Sequence, residues 1–154
     1  FNDSIYRFVK RYDKIVRKGS NEAVIRDFTL NSVYDGNDST QALLQYPGNL
    51  LILFMQQASI SDDWLKNIEE LNSLLKKCPN SMLIIATSNI NQVNDIIYNQ
   101  LHIYPSVFKC DATIIKAIAR ANPTLYLLKK GRIIDKWSYV DFDIAVKQVG
   151  IYCK

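Results

Sequence analysis

Two continuous apolar runs, residues 50–55 and 82–86, constrain this chain more than any other feature. Both fall far short of the ~20 apolar residues that a bilayer-crossing helix needs. Neither alternates with polar residues, so each reads as a central strand covered on both faces. Between them Leu65, Ile68, Leu71, Leu74 and Leu75 recur at helical spacing. Ser61 is a plausible N-cap, Asp62 and Asp63 open the first turn, Lys76 and Lys77 occupy the last, and Pro79 stops the chain. Strand, helix and strand in that order predict a parallel βαβ unit.

The flanking sequence extends the pattern. An edge strand is expected over 24–33, then a turn at Asp35-Gly36 and a short helix capped by Ser39 or Thr40. Beyond the second run, Val93, Ile96, Ile97 and Leu101 predict a helix over 91–101, and 104–109 reads as a third strand. Asp111 would cap a helix carrying Ile114, Ile115 and Ile118. Residues 124–128 and 132–137 form a hairpin across Lys129-Lys130-Gly131, and Asp141 caps a last helix with Phe142, Ala145, Val146 and Val149 facing inward. The mixed strand order predicts an α/β three-layer sandwich with helices on both faces of one sheet.

The chain has 154 residues, of which 48% are hydrophobic and 22% charged, values that suit one soluble domain and exclude disorder by composition. Its net charge of +4 is confined to residues 1–18, where Arg7, Lys10, Arg11, Lys14, Arg17 and Lys18 outnumber Asp3 and Asp13. Ile5, Phe8, Val9, Tyr12, Ile15 and Val16 lie between those cations at helical spacing, so 1–22 read as a basic amphipathic helix with a linker and 23–154 as the domain. That helix either packs on the domain or rests on an anionic membrane surface. With the remaining 136 residues neutral, the body offers no basic face, and nucleic-acid binding is not expected.

Cys78, Cys110 and Cys153 are 32 and 43 residues apart and His102 is the single histidine, so no metal site can be assembled; no cofactor pattern is present either. Three well-separated cysteines form no disulfide framework and are expected as reduced thiols. His102 lacks a nucleophile in sequence reach, Trp64 and Trp137 sit at packing positions, and Asp62 and Asp63 are adjacent on a helix and cannot face each other as a dyad.

The stretch from Asn122-Pro123-Thr124 through Leu128-Lys129-Lys130-Gly131-Arg132 resembles the cis-proline and hairpin of thioredoxin-like proteins. Asp27-Phe28-Thr29-Leu30, with Asp35-Gly36 and Leu43-Leu44, is similar to the entry of the branch holding peroxiredoxins and membrane-anchored thiol reductases, and the likeness covers about residues 25–150. Within that branch, Asp62-Asp63, Cys110-Asp111-Ala112, Arg120-Ala121-Asn122-Pro123 and Lys136-Trp137-Ser138 resemble the C-terminal thioredoxin-like domain of some bacterial DoxX-family membrane proteins. That likeness implies a membrane domain upstream; the basic arm slightly favours the cytoplasmic side, whereas the thiol-reductase likeness favours the periplasm.

In redox members a Cys-x-x-C dithiol opens the helix after the first core strand, where this chain has Ser59 and Asp62. Neither can replace a thiolate held by a helix N-terminus. The expectation is therefore a redox-inactive interaction or regulatory domain that pairs an extended peptide or protein segment beside Asn122, Pro123 and Thr124. The alternative is a thiol-disulfide oxidoreductase or peroxiredoxin-like enzyme using Cys110 alone, since it ends a strand beside the cap Asp111 at the functional edge of a parallel sheet.

Overall fold

The computed structural model describes residues 28–56 and 63–153. The expected N-terminal helix and linker, and Ser59, Ser61 and Asp62, lie outside the described residues. Along the chain run β1 (Asn31–Ser32), α1 (Thr40–Leu44), β2 (Asn49–Met55), α2 (Asp63–Leu75), β3 (Ser81–Thr87) and α3 (Ile90–Val93). After a π-helical segment (Asn94–Gln100) follow β4 (Ser106–Lys109), α4 (Ala112–Ile118), β5 (Thr124–Lys129), β6 (Arg132–Ser138) and α5 (Phe142–Tyr152). The six strands form one sheet in the order β1-β4-β3-β2-β5-β6. The pairs β2–β3 and β3–β4 are parallel, and β1, β5 and β6 are antiparallel to their neighbours.

Alternation along the central strands sends successive side chains into two separate cores, which is why both apolar runs lack polar positions. Leu51, Leu53 and Met55 of β2 pack under Trp64, Ile68 and Leu71 of α2 and Phe142, Ala145 and Val149 of α5. Leu50, Ile52 and Phe54 face the other way and meet Leu43 of α1, Ile115 of α4, and Tyr126 and Leu128 of β5. The second face is the more thinly covered, because α1 has five residues and α4 seven, against thirteen in α2 and eleven in α5.

Four local expectations are corrected. The edge strand is only Asn31–Ser32, because the chain turns at Asp35 and Gly36 to bridge back to Asp38. The cap before α1 is Asp38, whose carboxylate accepts from the Thr40 backbone N–H at 2.9 Å, while Ser39 makes no side-chain cap. Asp141 likewise does not cap α5; it accepts from the Ser138 hydroxyl at 2.6 Å. The helix expected over 91–101 widens into π geometry, with the Leu101 N–H donating to Ile96 O, five residues back. Asp111 does cap α4, accepting from the Thr113 N–H at 2.7 Å and the Ile114 N–H at 3.2 Å.

Gly48 leads into β2 at a point of close backbone approach. A Cβ there would lie 1.9 Å from the carbonyl oxygen of Asn80, which accepts from the Asn49 N–H at 2.8 Å. Because the obstructing atom is backbone, a side chain would prise apart the start of the β2–β3 ladder. Gly48→Ala is expected to cost about 1–3 kcal/mol in denaturant titration; an unchanged midpoint would show that the entry relaxes freely.

Candidate functional site

The two sequence-level candidates, Cys110 and Pro123, stand at one end of the sheet. A single row of paired residues crosses it, Phe108 to Ala86 to Phe54 to Thr124 to Ser138. Cys110 follows this row on β4 and Pro123 precedes it on β5, so both lie just past the C-terminal ends of the parallel strands. Strands β3 and β2 separate them, and three spacings of ~4.8 Å put the two residues roughly 14 Å apart. The structure brings them to one edge and not into contact.

Cys110 is the free cysteine and is 2% exposed. Its N–H donates to Thr87 O at 2.9 Å, which continues the β3–β4 pairing by one residue. It belongs to the second core, together with Leu30, Ala86, Ile115 and Ala119. Burial pushes the thiol up to about 11; the Asp111 amide pulls it back, and the Asp111 carboxylate adds to the rise. Hydrogen bonds from the Ile114 and Thr113 amides hold that carboxylate below its ordinary value, so it stays charged beside the thiol.

At the other end of the row the Asn122–Pro123 bond is cis. The Asn122 side chain, at the position where a peptide is expected to pair, turns towards the sheet: Oδ1 accepts from the Gln56 N–H at 2.9 Å. The Pro123 carbonyl accepts from the Tyr139 N–H at 3.1 Å, and the Thr124 hydroxyl donates to Ala121 O at 2.6 Å. These bonds bind the turn to the ends of β2 and β6. The positions assigned to the missing dithiol, Ser59 and Asp62, lie outside the described residues.

His102 is exposed, with φ of 51°, and precedes β4, at the opposite end of that strand from Cys110. Among the described residues His102 forms no base–nucleophile pair. Trp64 is buried edge-on against Phe142, and the indole N–H of Trp137 donates to Gln148 Oε1 at 2.8 Å. Both tryptophans are packing residues.

The largest correction concerns the cysteines. Cys78 and Cys153, expected as separate reduced thiols, form a disulfide across 75 residues of sequence. Cys78 follows α2, Cys153 follows α5, and packing of those helices side by side brings the two ends together. The bond lies at the N-terminal end of the parallel strands, near Asn49, whose side-chain amide donates to Tyr152 O at 3.2 Å. A seven-residue strand of about 23 Å therefore separates it from the Cys110 end. The signal in the sequence was the matching placement of both residues at helix ends, masked by the odd cysteine count.

No protein-family model matches the chain, and no curated protein does so significantly. Solved structures do. A putative thioredoxin from Neisseria meningitidis superposes with a TM-score of 0.58 at 19% identity, over 81% of this chain and 86% of that one. BsSco, a member of the Sco family of cytochrome c oxidase assembly proteins, gives 0.57 at 15% identity, covering 82% and 91%. The bacterioferritin comigratory protein of Xanthomonas campestris, described for alkyl peroxide reduction, gives 0.53 at 12% identity, covering 82% and 91%. By their names these neighbours are thiol-redox and assembly proteins, which corrects the expectation of a redox-inactive interaction or regulatory module and favours its alternative. In architecture the chain is a thioredoxin-like α/β protein.

Proposed function

We propose that this chain performs thiol chemistry through Cys110, as a single-cysteine thiol-disulfide oxidoreductase or peroxide-reducing protein. The observation that carries the reading is the free thiol at the C-terminal edge of a thioredoxin-like sheet, at the strand end where open parallel sheets place their chemistry. The names of the structural neighbours support the same class.

The electron balance follows from one cysteine. In exchange, the Cys110 thiolate attacks a substrate disulfide, an S–S bond forms to Cys110, and the departing sulfur leaves as thiolate. With a hydroperoxide, the thiolate takes the distal oxygen and becomes sulfenate, and the O–O bond breaks to release an alcohol once protonated. The Cys78–Cys153 pair is too distant to resolve either product, so a second molecule's thiol must do so. At a pKa of about 11 only roughly one thiol in 10⁴ is ionised at pH 7, so reaction near neutrality is slow and quickens as pH rises.

The expected result is alkylation of Cys110 in the native protein, rising about tenfold per pH unit towards pH 11, with peroxide leaving a trappable sulfenate at Cys110. Both should vanish in Cys110→Ser. Labelling confined to the unfolded protein, with no peroxide or disulfide turnover above Cys110→Ser, would remove this reading.

A further inference from the structure

The thinly covered face of the sheet holds a cavity of about 630 Å³, within the range of about 300–1,000 Å³ typical of small-molecule sites. Its floor is Ile52 and Phe54 of β2 with Tyr126 and Leu128 of β5, and Phe28 and Ile118 close its sides. Tyr126 has no proton to give a ligand, because its hydroxyl donates to Ile118 O at 2.8 Å. The rest of the floor is apolar.

The outer wall depends on an irregularity in β6. Tyr126 pairs with Lys136 and Leu128 with Ile133, so the register slips by one residue between them. In a regular strand residues 133 and 136 would point to opposite faces. The bulge at Ile134 turns Ile133 and Lys136 to the same side, over the cavity. Ile133 is left 61% exposed there, and the Lys136 ammonium lies 5.9 Å from the centre of the Tyr126 ring. Arg120, just past α4, completes the rim.

Arg120 and Lys136 are the charged residues of this lining, both are cations, and neither has a carboxylate partner among the described residues. They also line an adjoining cavity of about 280 Å³ with Thr124, Ser138 and Asp141, towards the Pro123 end. Asp141 is engaged by Ser138 there. The arrangement is a largely apolar pocket with two cations at its mouth. The chain's own basic N-terminal segment, at +4 over residues 1–18, is mismatched in charge with that mouth.

We propose that this cavity binds a small amphiphile with an aliphatic tail and a carboxylate head, the tail on Ile52, Phe54 and Leu128 and the head between Arg120 and Lys136. The site is separate from Cys110 and does not depend on the thiol chemistry above.

Dodecanoate, titrated into the full 154-residue chain below its micelle concentration, is expected to bind saturably at one per chain. Arg120→Glu with Lys136→Glu should weaken it about ten- to a hundredfold, the loss of charge-assisted hydrogen bonds. Ile133→Asp, at an already exposed position, should weaken it through the tail, and dodecyltrimethylammonium should not compete. Equal binding of the cationic and anionic detergents, or charge reversal without effect, would overturn the proposal. Binding that appears only after deletion of residues 1–22 would overturn it as well, by showing that the chain's own segment fills the cavity.

Discussion

Cys153→Ser is expected to lower the unfolding free energy by about 4 kcal/mol. The disulfide with Cys78 closes a loop of 75 residues, and constraining a loop of that length in the unfolded chain is worth about 4.5 kcal/mol in the chain-entropy account before any native-state strain is subtracted. Against a total of about 5–15 kcal/mol for an ordinary domain, that is a large share. In a thermal melt it corresponds to a fall of roughly 8–16 °C at this size. Dithiothreitol should reproduce the shift in the wild type and leave Cys153→Ser where it is, and Cys110→Ser should retain full sensitivity to reductant. A melt indifferent to reductant would mean that the bond contributes nothing to stability.

Phe142→Ala is expected to cost about 3–5 kcal/mol, the range for removing a buried aromatic ring. Phe142 is 1% exposed and meets Trp64 edge to face, with ring centroids 6.3 Å apart. Its loss would open a void between α2 and α5, the helices that the disulfide joins at their far ends. Near-UV dichroism should weaken along with the midpoint, because Trp64 loses its ordered partner. Since Phe142 opens α5 and Cys153 follows it, about 16 Å of helix separates the two sites, and their effects should add to within about 0.5 kcal/mol. A double mutant far from the sum would show that α2 and α5 dock as one all-or-none unit.

The thiol of Cys110 also ties stability to pH. Burial raises its folded-state value to about 11, above that of an unfolded cysteine, so the unfolded chain releases its proton first. This contribution is complete below about pH 8.5 and is lost as pH rises towards 11. Cys110→Ser should flatten that part of the alkaline profile.

The order of strands and helices along the chain was largely legible in the sequence. Apolar runs without alternation mean strands covered twice, and helical stripes between them mean crossovers; both are properties of neighbouring residues. Asp111 could be recognised as a cap for the same reason. Lys130 and Gly131 form the hairpin turn with positive φ at both residues, in keeping with the Lys-Gly step read there. The caps expected at Ser39 and Asp141 do not form, because several oxygen-bearing side chains compete for the same amides and the winner depends on where the preceding loop packs.

The site was less legible, because each of its properties joins residues far apart in sequence. Spacing alone set Cys78 and Cys153 apart, yet the docking of α2 on α5 brings them into a bond. Local reading placed Cys110 at a strand end; only the closing of the second core over it determines that the thiol is buried and its proton held. Nothing in Ile133-Ile134-Asp135-Lys136 announces the bulge that turns Ile133 and Lys136 to one face, because the slip is defined by the partner strand. By itself the sequence determined which segments are strands and helices and that their order suits a thioredoxin-like sheet, since periodicity and capping act within a few residues. The tertiary structure alone decided which cysteines pair, which thiol is buried and where a cavity opens, because those depend on contacts that exist only once the chain has closed on itself.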